Sequence, residues 1–201
     1  MSVIRTPQRS PVLAAIHARR SVSPRRLGPP APTAEDISRL TTAALAAPDH
    51  GRLRPWRLIV PVAERLADLF EQALLARLPD AVEERRRHER EKALDAPAQL
   101  ILVARIDDAH PAIPAHEQWI AVGAALQSLL LAVEALGFGA KILSGERATD
   151  PVIHRSLDLA ANESVVGFIA LGTVTEPPGA RAPADHAAVV SNWPQLGDRS
   201  R

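Results

Sequence analysis

The chain has 201 residues, 46% of them hydrophobic, with 24 Lys+Arg against 23 Asp+Glu for a net charge of +1. That suits one globular domain, or one domain plus an arm, and argues against a general polyanion binder. Cysteine is absent and aromatic residues make up only 3%, which excludes disulfides, thiolate metal sites and thiol nucleophiles, fits a reducing cytoplasm, and supplies few base-stacking platforms for nucleic acid.

No apolar run followed by a small-residue cleavage site opens the sequence, so a secretory signal is not expected. Residues 11–20 read as a short helix. It runs into "ARRSVSPRRL" (18–27), four arginines in eight positions in a chain with only two lysines. Arg19, Arg20 and Ser21 offer two guanidinium forks and a hydroxyl that can converge on a phosphate. Read alone, the triplet is more simply an exposed basic helix end. Pro29, Pro30 and Pro32 interrupt the chain. Thr33 with Asp36 then forms a capping signature for a helix over "AEDISRLTTAALAA", which Pro48 stops.

The loop "PDHGRLRP" presents His50, Arg52 and Arg54, and "WRLIVPV" reads as a strand. Helices are expected over 63–78 and 80–95. The second carries "EERRRHEREK", both charge signs at helical spacing, the mark of a solvated face. "QLILVARI" (99–106) is a strand apolar on both faces, hence central. His110, His116 and Glu117 lack the i,i+4 spacing of a helical metal pair, so no metal site is expected. The helix 116–136 is apolar nearly all round. Its length is borderline for a membrane span, and the better reading is a buried helix that supplies a dimer core.

"GFGAKILSG" follows as a glycine-bounded strand. Thr149 is expected to cap a helix through Leu157, with Pro151 in its first turn. "VVGFIALGTV" is the last clear strand. The proline-rich tail contains "AAVVSNW" (187–193), which also fits a strand. Helices and strands intermix without regular βαβ alternation, so the fold class is α+β with a mixed sheet.

Taken in order, "ARRSVSPRRLGPPAPTAEDISRLTTAALAAPDHGRLRPW", "EQWIAVGAALQSLLLAVEALGFGAKILSG" and "VVGFIALGTV" resemble the nitroreductase family of flavoenzymes, in particular its small single-domain NAD(P)H nitroreductases. The likeness spans most of residues 14–174. It implies an α+β sandwich and a domain-swapped homodimer holding FMN at the subunit interface, with NAD(P)H as co-substrate and a nitro compound, quinone or related small molecule as acceptor. Neither nucleic acid nor a membrane is an implied partner. Residues 1–175 would form the FMN-binding domain, and 176–201 an arm packing on the other subunit.

By the same resemblance Arg19, Arg20 and Ser21 bind the flavin phosphate, His50 is a flavin contact, and Ile142, Leu143 and Ser144 form a third flavin-binding patch. The sequence departs from its relatives in three places. Arg54 stands where they commonly carry Gln, Leu143 where they often carry Arg, and Ala46 where close relatives place an arginine. Lys141, two residues before Leu143 and so on the same strand face, is a candidate for the missing charge. Arg52, or failing that Arg20, is the candidate for positive charge beside the flavin ring. The segment 80–95 is a candidate lid. The competing readings are a flavin-free binding or structural homologue, and a relative that fragments its flavin or dehalogenates a substrate.

Overall fold

An antiparallel sheet separates two helical layers in the computed structural model, which describes residues 10–179 together with 189, 190 and 193. The longest strand is β5 (Glu163–Val174), and three others pair with it. These are β3 (Ala98–Arg105) along most of its length, β4 (Gly139–Leu143) through Phe168–Gly172, and β1 (Leu27–Gly28) at Thr173–Val174. The sheet ends with β2 (Trp56–Ile59), which pairs with β3. The expected mixed character reduces to one isolated parallel bridge, Ser21 to Ala140, since every named strand pair is antiparallel.

The apolar run in β3 explains its central place. Leu100, Leu102 and Ala104 face one core, while Ile101 and Val103 face the other, all at 2% exposure or less. The first core is covered by α2 (Ala34–Leu45) and α5 (Ala115–Ala135), the second by α3 (Ala63–Arg77), α4 (Glu83–Leu94) and α6 (Pro151–Ser156). The helix α1 (Pro11–Ala18) buries none of its residues and touches α5.

Local chemistry sets the element ends. Thr33 and Asp36 form the reciprocal capping box of α2, with Asp36 N donating to Thr33 Oγ1 at 3.2 Å and Thr33 N to Asp36 Oδ2 at 2.9 Å. The cap of α6 is Asp150, whose Oδ1 accepts from Val152 N at 2.8 Å. Thr149, expected in that role, lies in the 3-10 turn just before. An ionised carboxylate accepts those helix N–H groups more strongly than a hydroxyl does.

The charged helix α4 is tied to α3 by ion pairs. Arg86 Nε donates to Glu71 Oε1 at 2.7 Å, and Arg90 reaches Asp68 and Glu71, all on α3. Glu89 is buried against Arg147, with Nη1 to Oε2 at 2.8 Å. These pairs clamp α4 onto α3, across the sheet from α5.

The helix α5 is two-faced rather than buried all round. Gln118, Ala121, Val122, Ala125, Leu129 and Val133 are buried, while Trp119 and Ile120 on the opposite side remain 45% and 65% exposed. By length and composition it could cross a membrane, but its buried face packs on α2 and the sheet. Gln118 anchors its start, donating to the carbonyls of Asp107 and Ile113 at 2.8 and 2.9 Å. The expected tail strand 187–193 lies largely outside the described residues.

Candidate flavin-binding lobes

The predicted site residues fall into two lobes, and α5 separates them. The first lobe begins where α1 ends. The Ser21–Ala140 bridge, with Val22 N donating to Ala140 O at 3.0 Å, lays the arginine segment beside the start of β4. A parallel register carries Arg19 and Arg20 back toward Phe138 and Gly139, and all four line a cavity of 250 Å3. Gly139 is required there, because a Cβ would come within 2.6 Å of Val174 Cγ2 and 2.8 Å of Leu27 Cδ2. Leu130 and Val133 give the cavity an apolar wall, and Glu134 adds a carboxylate. Nη1 of Arg20 donates to the carbonyls of His17, Ala18 and Arg19, so part of this guanidinium caps the end of α1.

The third predicted patch adjoins this lobe along β4, but its side chains are engaged in packing. Ile142 packs on the α2–α5 core, and Leu143 packs against the cluster of Val22, Leu27, Ala96 and Ala170. Both side chains are only partly buried. Lys141 is half-buried, and alternation along the strand puts it on the same face as Leu143. Ser144 and Gly145 follow the strand end and are exposed.

The second lobe is the loop 49–54. Asp49 organises it: its carbonyl accepts from Arg52 N at 3.1 Å, and its Oδ2 accepts from Arg54 N at 2.7 Å. Gly51 (φ 68), Arg52 (φ 54) and Arg54 (φ 50) are all left-handed. A Cβ on Gly51 would come within 2.5 Å of Ile113 Cδ1, so glycine lets the loop lie tight against the segment before α5. No spacing in the sequence links His50 to Glu117, which lies 67 positions on. His50 Nδ1 lies 2.6 Å from Glu117 Oε2, in the first turn of α5. Leu45, Ala47, Asp49, Arg52 and Arg54 line an open cavity of 410 Å3.

The distance between the lobes is the decisive geometry. Glu117 meets the loop at the start of α5, while Glu134 meets the arginine cavity near its end. At 1.5 Å rise per residue these positions are about 25 Å apart, farther than one mononucleotide reaches. A single chain brings Arg19 and Arg20 to one cavity, with Ser21 next in the chain but outside its lining, and holds His50 and Arg52 on the other loop, but does not bring the two groups to each other.

Chemically, the first lobe brings two arginines and the apolar side chains of Leu130, Val133 and Val174 to one cavity, the residue types that suit a phosphate attached to an apolar body. The second supplies positive charge and a histidine beside an open cleft. Among the described residues no group of three metal-ligating side chains occurs, His110, His116 and Glu117 included.

Known proteins agree with this arrangement of elements. The model of the Nitroreductase family matches residues 16–173. The chain is 32% identical over 166 residues to "Putative NAD(P)H nitroreductase YdjA" of Escherichia coli, covering 77% of this chain and 84% of that protein. It is 33% identical over 156 residues to "Putative NAD(P)H nitroreductase" of Haemophilus influenzae, with the same coverage. Its fold is similar to that of a nitroreductase-like protein from Bacillus cereus (TM-score 0.77, 21% identity, 94% of this chain and 99% of that one). It is also similar to a nitroreductase from Desulfovibrio desulfuricans solved in complex with FMN (TM-score 0.70, 24% identity, 93% and 100% covered). With a family match over most of its length and relatives above 30% identity, the chain belongs to the nitroreductase family.

Proposed function

We propose that the protein is an FMN-dependent oxidoreductase that takes hydride from NAD(P)H and reduces a nitro compound, quinone or related small acceptor in a reducing cytoplasm, working as a homodimer with two composite sites. The observation that carries this reading is the placement of two complementary lobes at opposite ends of α5. A two-fold axis across the middle of that helix sets the last turn of one copy beside the first turn of the other. Arg19, Arg20 and Ser21 of one subunit then face His50 and Arg52 of its partner. The exposed face around Trp119 and Ile120 is the surface such an axis would cover.

Bound FMN supplies the redox chemistry, accepting hydride and passing electrons on. The chain supplies position and charge. The guanidiniums of Arg19 and Arg20 and the Ser21 hydroxyl hold the phosphate, with Lys141 adding charge in place of the arginine absent at Leu143. Backbone at 142–144 lines the ring's edge. Arg52, held by Asp49 and the neighbouring His50–Glu117 contact, places positive charge where reduction adds negative charge, which lowers the energy of the reduced form by Coulomb attraction.

A spectrum tests the reading. The purified protein, or the protein reconstituted with FMN, absorbs near 450 nm (about that wavelength for oxidised flavins), and NADH or NADPH bleaches the band. A chain that stays colourless after reconstitution is the flavin-free homologue instead. In the same preparation of Arg52→Ala the two-electron potential falls; an unchanged potential removes Arg52 from the ring.

A further inference from the structure

We infer that the cleft at loop 49–54 selects ligands carrying an anionic group, a carboxylate or phosphate, and that Arg54 is its specificity-determining residue. The inference rests on the flavoenzyme reading for which reaction the cleft serves, but the preference for an anion follows from the cleft itself.

Carboxylates pair with ten of the 17 arginines among the described residues, while Arg65, Arg85 and Arg155 on helix surfaces have none. Arg25, Arg26, Arg39, Arg57, Arg77, Arg86, Arg87, Arg90, Arg105 and Arg147 all have acidic partners. The side chains of Arg52 and Arg54 make no hydrogen bond or ion pair among the described residues, although both line a 410 Å3 cavity. Asp49 is the acidic side chain in that lining, and one of its oxygens already accepts the Arg54 backbone N–H. The cleft therefore keeps an excess of positive charge, beside the apolar surface of Leu45 and Ala47.

The backbone supplies a second argument. Arg52 and Arg54 both sit at left-handed φ, 54 and 50. Glycine or asparagine adopts that region with less strain. A chain that holds two arginines there retains their side chains against a local cost, and outliers of this kind point toward function. The loop is also braced before any ligand arrives. Asp49 accepts two of its N–H groups, His50 meets Glu117, and Gly51 lies against Ile113. A backbone held in this way needs no reordering when a ligand binds, so the binding cost falls on the two arginine side chains alone. An apolar wall with paired guanidiniums suits a flat apolar body bearing one anionic substituent. Two sources offer that chemistry: an acceptor such as a nitroaromatic acid, or the 2′-phosphate that distinguishes NADPH from NADH.

The experiment compares the wild-type dimer with Arg54→Gln, which keeps polarity and length while removing charge. Turnover is measured with 4-nitrobenzoate against nitrobenzene, and with NADPH against NADH. Binding of 4-nitrobenzoate and of 2′-AMP is followed by calorimetry, which needs no turnover. The wild type favours at least one anionic member of these pairs by about tenfold, through KM rather than kcat, and the preference shrinks as salt rises. R54Q abolishes it. A change confined to the acceptor pair assigns the anion to the acceptor; a change confined to the nicotinamide pair assigns it to the donor phosphate. If R54Q leaves both ratios and both binding constants as in the wild type, the inference is overturned. If no flavin binds and no turnover occurs, the flavoenzyme reading fails, and the calorimetric comparison still decides whether Arg54 captures an anion.

Discussion

Glu163 joins three strands through one carboxylate. It accepts from Arg57 Nε and Nη2 at 2.8 Å each and from Arg105 Nε at 3.2 Å, tying the start of β5 to β2 and β3. Its side chain is only 6% exposed. Hydrogen bonding from Arg57 is the largest influence, and it holds the carboxyl at about 2 against an ordinary 4.5. A depressed folded-state pKa means that the unfolded chain takes up the proton first. The stabilisation is therefore complete above about pH 4.5 and drains away as pH falls toward about 2. Glu163→Gln should lower stability at pH 7 by about 2 kcal/mol, the range for hydrogen bonds to charged groups, and flatten the acid limb between those pH values. Urea melts from pH 2 to pH 7 measure both; parallel pH profiles for the two proteins would show that the clamp contributes nothing. The strands that carry Arg57 and Arg105 were legible in the sequence, but Glu163 lies two residues before the expected start of its strand, and the triad was not legible because the three residues meet only through sheet register.

The strand β4 combines packing with a charge: Ile142 and Leu143 pack against cores, and Lys141, on the same face as Leu143, is half-buried. Two substitutions separate these duties. Ile142→Ala should cost about 2 kcal/mol of stability, at the low end for a truncated core side chain because the residue is only partly buried. Lys141→Ala should leave stability within about 0.5 kcal/mol and weaken FMN binding severalfold, read by quenching of flavin fluorescence. Equal FMN affinity in K141A would end its role as the substitute charge. Element identity was largely readable: the capping box of α2, the two-sided apolar run of β3 and the glycine close to β4 all sit where their residue chemistry placed them. What resisted reading was the environment of each element. A helix of mixed charges looks the same in sequence whether it is free or clamped, and only packing reveals that Arg86 and Arg90 reach across to α3. The same holds for His50 and Glu117, 67 positions apart in the chain.

At the scale of the molecule, the proposed dimer turns two clusters about 25 Å apart along one helix into the halves of a shared site. Ile120 offers a direct test. In the subunit it is 65% exposed, on the side of α5 away from Val122, Ala125 and Leu129, so Ile120→Asp adds a charge where water already reaches and should change subunit stability by no more than about 0.5 kcal/mol. In the proposed dimer the same carboxylate would be buried against apolar surface, a penalty of several kcal/mol per subunit that the interface cannot absorb. I120D should then run as a monomer by light scattering, keep its far-UV circular dichroism, and lose bound FMN, because Arg19–Ser21 and His50–Arg52 would each be left as an open half. The coupling of the two losses is the discriminating result. A monomeric I120D that retained FMN with wild-type affinity would place the whole cofactor site within one chain, and a dimeric I120D would move the interface off this face of α5.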